Sequence, residues 1–223
     1  MTLTIILLLI LAYLIGSVPT AVWIGKRFYS IDVREHGSGN AGATNTFRVL
    51  GKKAGIPVLL IDIFKGFVAV NLVYLQSKFG VDDVIPLTNL KLAFGFASVI
   101  GHVFPIFAGF RGGKGIASLL GILLAIHPAG ALCALGIFLL VLLTTKYVSL
   151  GSMMAGVCFP VLVILVFDNK VPALMIFSIV VSILVVITHQ KNIQRLLKRN
   201  ENKTYLFKKK PKLAGFEEDD EGE

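Results

Sequence analysis

Cysteine, acidic side chains and the common catalytic signatures are all scarce in this chain of 223 residues, and each scarcity removes a class of function. The two cysteines, Cys133 and Cys158, both sit inside apolar runs without metal-ligand spacing. They read as small hydrophobes, so neither a disulfide framework nor a metal site is expected. No Gly-Lys-Ser/Thr closes a glycine-rich stretch, which excludes a Walker-type phosphate loop. No Ser-His-Asp motif is present. Acidic residues number 13 against 22 basic ones, for a net charge of +9, so the available charge suits anions. The first apolar stretch has no basic region before it and runs too long for a cleaved signal peptide.

Apolar residues dominate instead, at 55% of the chain with a mean hydropathy of +0.80, far above a soluble domain. They come in runs over residues 2–24, 55–76, 90–107, 115–126, 129–144, 148–167 and 171–188. A crossing takes about 20 residues, with about 17 acceptable. Five runs meet that length. The runs 115–126 and 129–144, split by His127-Pro128, are either two short crossings or a re-entrant pair, so the count is seven or five. Both counts are odd, which puts the termini on opposite sides. With the N-terminus outside, eighteen Lys and Arg fall inside and three, Lys78, Lys91 and Lys170, fall outside. The positive-inside rule selects that orientation. Four polar segments then meet on the cytoplasmic side: the loop at 37–45, the turn at 111–115, the turn at Lys146 and the tail entry at His189. Residues 191–199 read as a basic interfacial helix attracted to anionic headgroups, and residues 217–223 as an acidic, disordered end.

Gly37-Ser38-Gly39-Asn40-Ala41-Gly42-Ala43-Thr44-Asn45 is the most informative stretch. Small residues let successive N–H groups turn toward one point, and Ser38 and Thr44 add hydroxyls, which suits a phosphate. Arg48 follows closely enough to share the same anion. A plain connector would also be glycine-rich, but it has no need of so many different polar side chains. Arg111-Gly112-Gly113-Lys114-Gly115 brackets a cation with glycines, so it reads as a second ligand loop, with His102 nearby as a buried hydrogen-bonded residue. Ser149 and Ser152 alone carry little weight, since a helical serine usually bonds back to its own backbone. His189, Asn192 and Arg195 share one side of a helix at the membrane exit. Asp62 and Lys65 are three apart within a span and read as a mutual ion pair.

Together these blocks resemble one family, the bacterial acyl-phosphate-dependent glycerol-3-phosphate acyltransferases (PlsY), across nearly the whole chain from Gly16-Ser17-Val18-Pro19 to Glu201. The most specific parts are the 37–45 loop with Arg48, then Gly101-His102 through Gly112-Gly113-Lys114-Gly115, then His189-x-x-Asn192-Ile193-x-Arg195-Leu196. Gln190-Lys191 stands where relatives often have Arg-Glu. The His-x4-Asp pattern of other glycerolipid acyltransferases is absent.

The resemblance implies an all-α integral membrane protein of about seven helices, N-terminus outside and C-terminus cytoplasmic. Residues 1–189 would form the membrane acyltransferase domain, 190–212 the basic interfacial segment and 213–223 the acidic tail. The implied reaction moves an acyl group from acyl phosphate to the sn-1 hydroxyl of glycerol 3-phosphate at the cytoplasmic face of the inner membrane, the first step of phospholipid synthesis. By the same resemblance Ser38, Gly39, Asn40, Gly42, Thr44 and Asn45 hold the acyl phosphate. Arg48, Lys114, Ser152 or less directly Ser149, His189 and Asn192 hold glycerol 3-phosphate, and Ser38, Arg48, Lys114, His189 and Asn192 are the catalytic set. No cofactor, metal or nucleic acid is expected. The partners are the two substrates, membrane lipids and an enzyme that makes acyl phosphate. Either a substrate phosphate oxygen or His189 accepts the hydroxyl proton. A transporter of a phosphorylated solute is the alternative, and a non-catalytic lipid-binding scaffold would leave the glycine loops unexplained.

Overall fold

The computed structural model describes residues 2–79 and 87–204. The acidic run 217–223 and the basic segment past residue 204 lie outside the described residues. No strand occurs among the described residues.

The first apolar run forms two helices, α1 (Thr2–Ser17) and α2 (Thr20–Tyr29), bent by 42° at Val18-Pro19. Pro19 has no N–H to donate and pushes Val18 out of helical geometry, so the ladder breaks there. The break leaves the Val18 carbonyl facing an apolar interior. Lys65 Nζ donates to it at 2.8 Å and pairs with Asp62 at 2.9 Å, while Thr20 Oγ1 donates to the same carboxylate at 3.0 Å. The ion pair expected from the three-residue spacing therefore forms, and it is buried, with Asp62 at 1% and Lys65 at 6% exposure.

A 3₁₀ turn (Val33–Glu35) and α3 (Ala43–Val49) lead into the long α4 (Lys52–Asn71). Next come α5 (Leu87–Val103), a 3₁₀ turn (Ile106–Ala108), α6 (Ile116–Ile126), α7 (Pro128–Thr145) and α8 (Val148–Val161). α9 (Pro172–Thr188) and α10 (Gln190–Leu197) complete the described chain. The stretches Lys52–Leu75, Leu87–Ala108, Pro128–Thr145 and Val148–Val166 are long and apolar enough to cross a bilayer. Counting α1–α2 and α9–α10 as broken spans, the latter bent by 58°, raises the number from four to six. The two short runs around His127 come out unequal. Pro128 opens α7 and His127 Nδ1 accepts the Gly130 N–H at 3.0 Å, extending α7 to 18 residues. α6 keeps 11 residues, too few for a straight crossing of ~30 Å.

Leu60, Phe64, Leu140, Leu165 and Ile176 are 58–74% exposed, an apolar surface that suits lipid. Lipid is as apolar as leucine, so helix association must come from close packing rather than from exclusion of water. Glycine supplies that closeness. A Cβ at Gly121 would lie 1.9 Å from the Ile63 carbonyl oxygen, and one at Gly66 2.2 Å from that of Ser118, so the α4 and α6 backbones touch. Gly16 abuts Ser98 on α5 in the same way. Gly121→Val would force α4 and α6 apart at a cost of about 1–3 kcal/mol. A thermal midpoint lower by about 5 °C in detergent is the expected reading, and an unchanged midpoint would contradict the packing.

The same contacts show which helices adjoin. Gly66 meets Ser118 and Gly121 meets Ile63, while Val70 and Ile122 both lie beside Gly95, so α4, α5 and α6 pack together. Gly156 packs α8 on Val185 of α9. Hydrogen bonds tie the four polar segments to one another at one end of the bundle. Arg34 Nη1 reaches the Ala108 carbonyl, Lys114 reaches Asn192, and the Thr204 N–H donates to the Lys146 carbonyl at 2.8 Å.

Candidate active site

The 37–45 loop is held from inside. Gly37 and Gly39 adopt φ of +62° and +73°, which L side chains rarely tolerate. The chain turns back there, and the Ser38 N–H and Oγ both donate to Asn45 Oδ1, at 2.8 and 3.0 Å. The Asn45 amide donates in turn to the carbonyls of Val33 at 2.7 Å and His36 at 3.1 Å. Asn45 is 1% exposed, so its role here is to pin the loop. Gly39 and Thr44 are exposed and Ser38, Asn40, Gly42 and Arg48 half-buried, leaving the rim of the loop accessible.

The second loop is fixed against the end of α5. Gly112 and Gly113 donate their N–H groups to the carbonyls of Val103 and His102, at 3.2 and 3.1 Å. The approach is so tight that a Cβ on Gly112 would stand 2.0 Å from the His102 oxygen. His102 is buried as expected, with Nδ1 3.0 Å from Ser118 Oγ. Lys114 extends from this loop and donates to Asn192 Oδ1 on α10. The Asn192 amide donates onward to Glu201 Oε1 at 2.8 Å, and Ser149 Oγ donates to the same oxygen at 3.2 Å. Ser152, one turn further along α8, bonds back to the Val148 carbonyl at 2.9 Å. His189 is 2% exposed, with Nδ1 2.8 Å from the Val185 carbonyl. A carbonyl only accepts, so the proton sits on Nδ1 and the neutral ring keeps Nε2 as its acceptor.

Arg48, Lys114, Arg195 and Glu201 lie close enough to feel one another's charge. Three cations against one carboxylate suit a doubly charged phosphate. Burial lowers the Lys114 pKa to about 8; Glu201 opposes that shift, while Arg195 and Arg48 add to it. Burial also lowers the Arg48 pKa. Lys114 is therefore cationic below about pH 8 and loses its charge above it. KM for glycerol 3-phosphate is expected to climb as pH rises through about 8. In Lys114→Arg, whose guanidinium stays charged, that rise should flatten. A flat wild-type profile from pH 7 to 9.5 would rule the effect out.

From the predicted set, the structure joins Lys114 to Asn192 directly and Ser149 to Asn192 through Glu201, brings Arg48 and His189 within electrostatic reach of Lys114, and sets the 37–45 loop on the helix that carries Arg48. It adds Arg195 and Glu201, which the sequence groups with His189 and Asn192 without giving either a substrate. Arg195 continues the spacing of His189 and Asn192, a signal available in the sequence. Glu201 arrives from the chain beyond α10, and only the fold brings its carboxylate onto Asn192 and Ser149. Among the described residues no three His, Cys, Asp or Glu side chains lie close enough to share a metal ion.

The chain is similar to known proteins over most of its length. A family model described as glycerol-3-phosphate acyltransferase matches residues 6–199. The glycerol-3-phosphate acyltransferase of Chlorobium limicola is 42% identical, covering 92% of this chain and 99% of the relative. That of Enterococcus faecalis is 44% identical, covering 89% and 91%. Two crystal structures of PlsY, described as an integral membrane glycerol 3-phosphate acyltransferase, share the fold at 35% identity. The glycerol 3-phosphate form has a TM-score of 0.79 and covers 91% of this chain and 96% of its own. The lysophosphatidic acid form has a TM-score of 0.76, with 90% and 95%. A family match over residues 6–199, with relatives above 40% identical over nearly their full length, leaves one conclusion: this chain belongs to the glycerol-3-phosphate acyltransferase family.

Proposed function

We propose that the protein transfers an acyl group from acyl phosphate to the sn-1 hydroxyl of glycerol 3-phosphate, releasing lysophosphatidic acid and inorganic phosphate. The acyltransferase activity itself follows from family membership. The observation that carries the fuller reading is the meeting of two anion-binding loops with a net cationic cluster at one end of the bundle. An acyl phosphate is an activated mixed anhydride, so the site needs no covalent nucleophile. It needs two phosphates held side by side, and donors for the developing oxyanion and the leaving phosphate. Ser38, Gly39, Asn40, Gly42 and Thr44 would cradle the acyl phosphate in a loop pinned by Asn45. Arg48, Lys114, Asn192, His189 and the serines of α8 would hold glycerol 3-phosphate. The sn-1 oxygen attacks the acyl carbon and the carbon–oxygen bond to phosphate breaks. The hydroxyl proton goes to a phosphate oxygen of the substrates.

In this reading α6 is a seventh, short crossing, supported by its close packing on α4 through Gly66 and Gly121. The N-terminus then lies outside, and the site faces the cytoplasm at the inner membrane, as the distribution of Lys and Arg favours. Residues 1–189 act as the membrane unit, with 190–212 at its basic cytoplasmic edge. A transporter needs a midplane site open alternately to both sides, and the gathering of ligand groups at one end argues against it. The test is purified protein supplied with palmitoyl phosphate and glycerol 3-phosphate. Without lysophosphatidic acid and stoichiometric phosphate, the reading fails. His189→Asn should keep most of kcat while KM rises, because a substrate oxygen takes the proton; a collapse of kcat alone would make His189 the base.

A further inference from the structure

Arg34 lies outside both ligand loops yet touches the structure of each. Its Nε and Nη2 form a two-pronged pair with Asp32, at 2.9 Å to Oδ1 and 2.7 Å to Oδ2. Lys26 Nζ adds a third cationic contact to that carboxylate at 3.3 Å. With the fork locked, Nη1 projects across to the second loop and donates to the Ala108 carbonyl at 2.7 Å, standing 3.4 Å from that of Arg111. These carbonyls flank Gly109 and Phe110, both at positive φ, just before Gly112-Gly113-Lys114. On its other side the same short turn, Val33–Glu35, is gripped by the first loop. Asn45 holds the carbonyls of Val33 and His36, and the Arg34 carbonyl lies directly beneath Gly39. One residue thus has its backbone built into the 37–45 loop and its guanidinium bonded to the 109–115 loop. Arg34 is largely shielded, with 14% of its side chain exposed.

We propose that Arg34 is a positioning residue that sets the distance and angle between the two phosphate-binding loops, and so between the acyl carbon and the attacking hydroxyl. The proposal rests on the assignment of one loop to each substrate. A planar fork can bond Asp32 through one edge and a carbonyl through its free nitrogen at once, which a lysine cannot. The consequence for rate is direct, since a misplacement of ~1 Å between reacting groups can cost about 100-fold. Each loop keeps its own ligand groups when Arg34 is lost, so binding of either substrate alone should change little.

The experiment is steady-state kinetics on the full-length protein with palmitoyl phosphate and glycerol 3-phosphate each varied, alongside thermal unfolding. Arg34→Gln is expected to lower kcat about 10- to 100-fold with both KM values within about threefold of wild type and the thermal midpoint retained. Arg34→Lys should show the same loss. Wild-type kcat in either variant overturns the proposal. So does a fall in kcat that merely follows raised KM values and a lowered midpoint, the pattern of a purely structural role. Should Arg34→Gln not fold, Asp32→Asn decides: it keeps the guanidinium but weakens the fork, and a kcat lower by about 3- to 10-fold supports the clamp, whereas wild-type kcat or loss of fold refutes it. Ser38→Ala and Lys114→Ala separate this from the substrate assignment. If neither raises KM for its own substrate, the assignment fails, whatever Arg34 does.

Discussion

Arg48→Ala and Lys114→Ala are each expected to lower kcat/KM for glycerol 3-phosphate by about 100- to 1000-fold. Both cations sit in one half-buried cluster, each shielded enough that burial lowers its pKa. A hydrogen bond from a charged donor contributes about 1.5–3 kcal/mol net in such surroundings. The demand rises in the transition state, where charge builds on the acyl oxygen and the leaving phosphate, and loss of one preorganised donor there costs about 100- to 1000-fold. The two losses should not multiply in the double variant, because in the proposed site both cations would serve the same pair of anions. Phosphate release from palmitoyl phosphate in the presence of glycerol 3-phosphate measures all three proteins. Wild-type rates in both single variants would remove Arg48 and Lys114 from the site.

Glu201→Ala is expected to cost more in stability than any other single change at this end of the bundle. Its Oε1 accepts from Asn192 and Ser149, and its charge offsets Arg48 and Lys114. Without it, Arg48, Lys114 and Arg195 repel one another with no carboxylate to offset them, and Asn192 loses the acceptor that orients it toward Lys114. Glu201 is half-buried, and leaving its hydrogen-bond donors without a partner costs about 1–3 kcal/mol. For a chain of this size that means a thermal midpoint lower by about 5 °C, with activity lost in parallel. Glu201→Gln keeps an oxygen for Asn192 and Ser149 but not the charge, so it should fall between. A Glu201→Ala protein as stable and as active as wild type would show that the carboxylate is a bystander.

Much of this was readable before any fold. The 37–45 loop, Lys114 within its glycines and the His189–Asn192–Arg195 spacing each carry local signals, since backbone freedom and helical period are properties of short stretches. The Asp62–Lys65 pair was legible for the same reason. Less legible was which residues merely support the loops. Asn45 looked like a ligand donor, yet its amide is spent on Ser38, Val33 and His36. The resemblance puts Ser152 ahead of Ser149, yet only Ser149 meets Glu201 where the chain returns, while Ser152 bonds back to its own helix. Arg34 read as one more inside-loop charge until Ala108, 74 positions away, appeared beside it.

Hydropathy and charge by themselves determined that this is a helical membrane protein with its polar segments on one side, because a bilayer forces apolar runs into helices and positive loops to one face. Glycine-rich loops and bracketed cations pointed to the proposed chemistry, phosphate recognition without a covalent nucleophile. Tertiary structure alone decided that the first and last spans bend, that α6 is short and rides on α4 through Gly66 and Gly121, and that Glu201 closes the cationic cluster. Those features depend on pairs of residues far apart in the chain. Whether two such residues meet is set by close packing and by where buried polar groups find partners, and no short stretch of sequence encodes either.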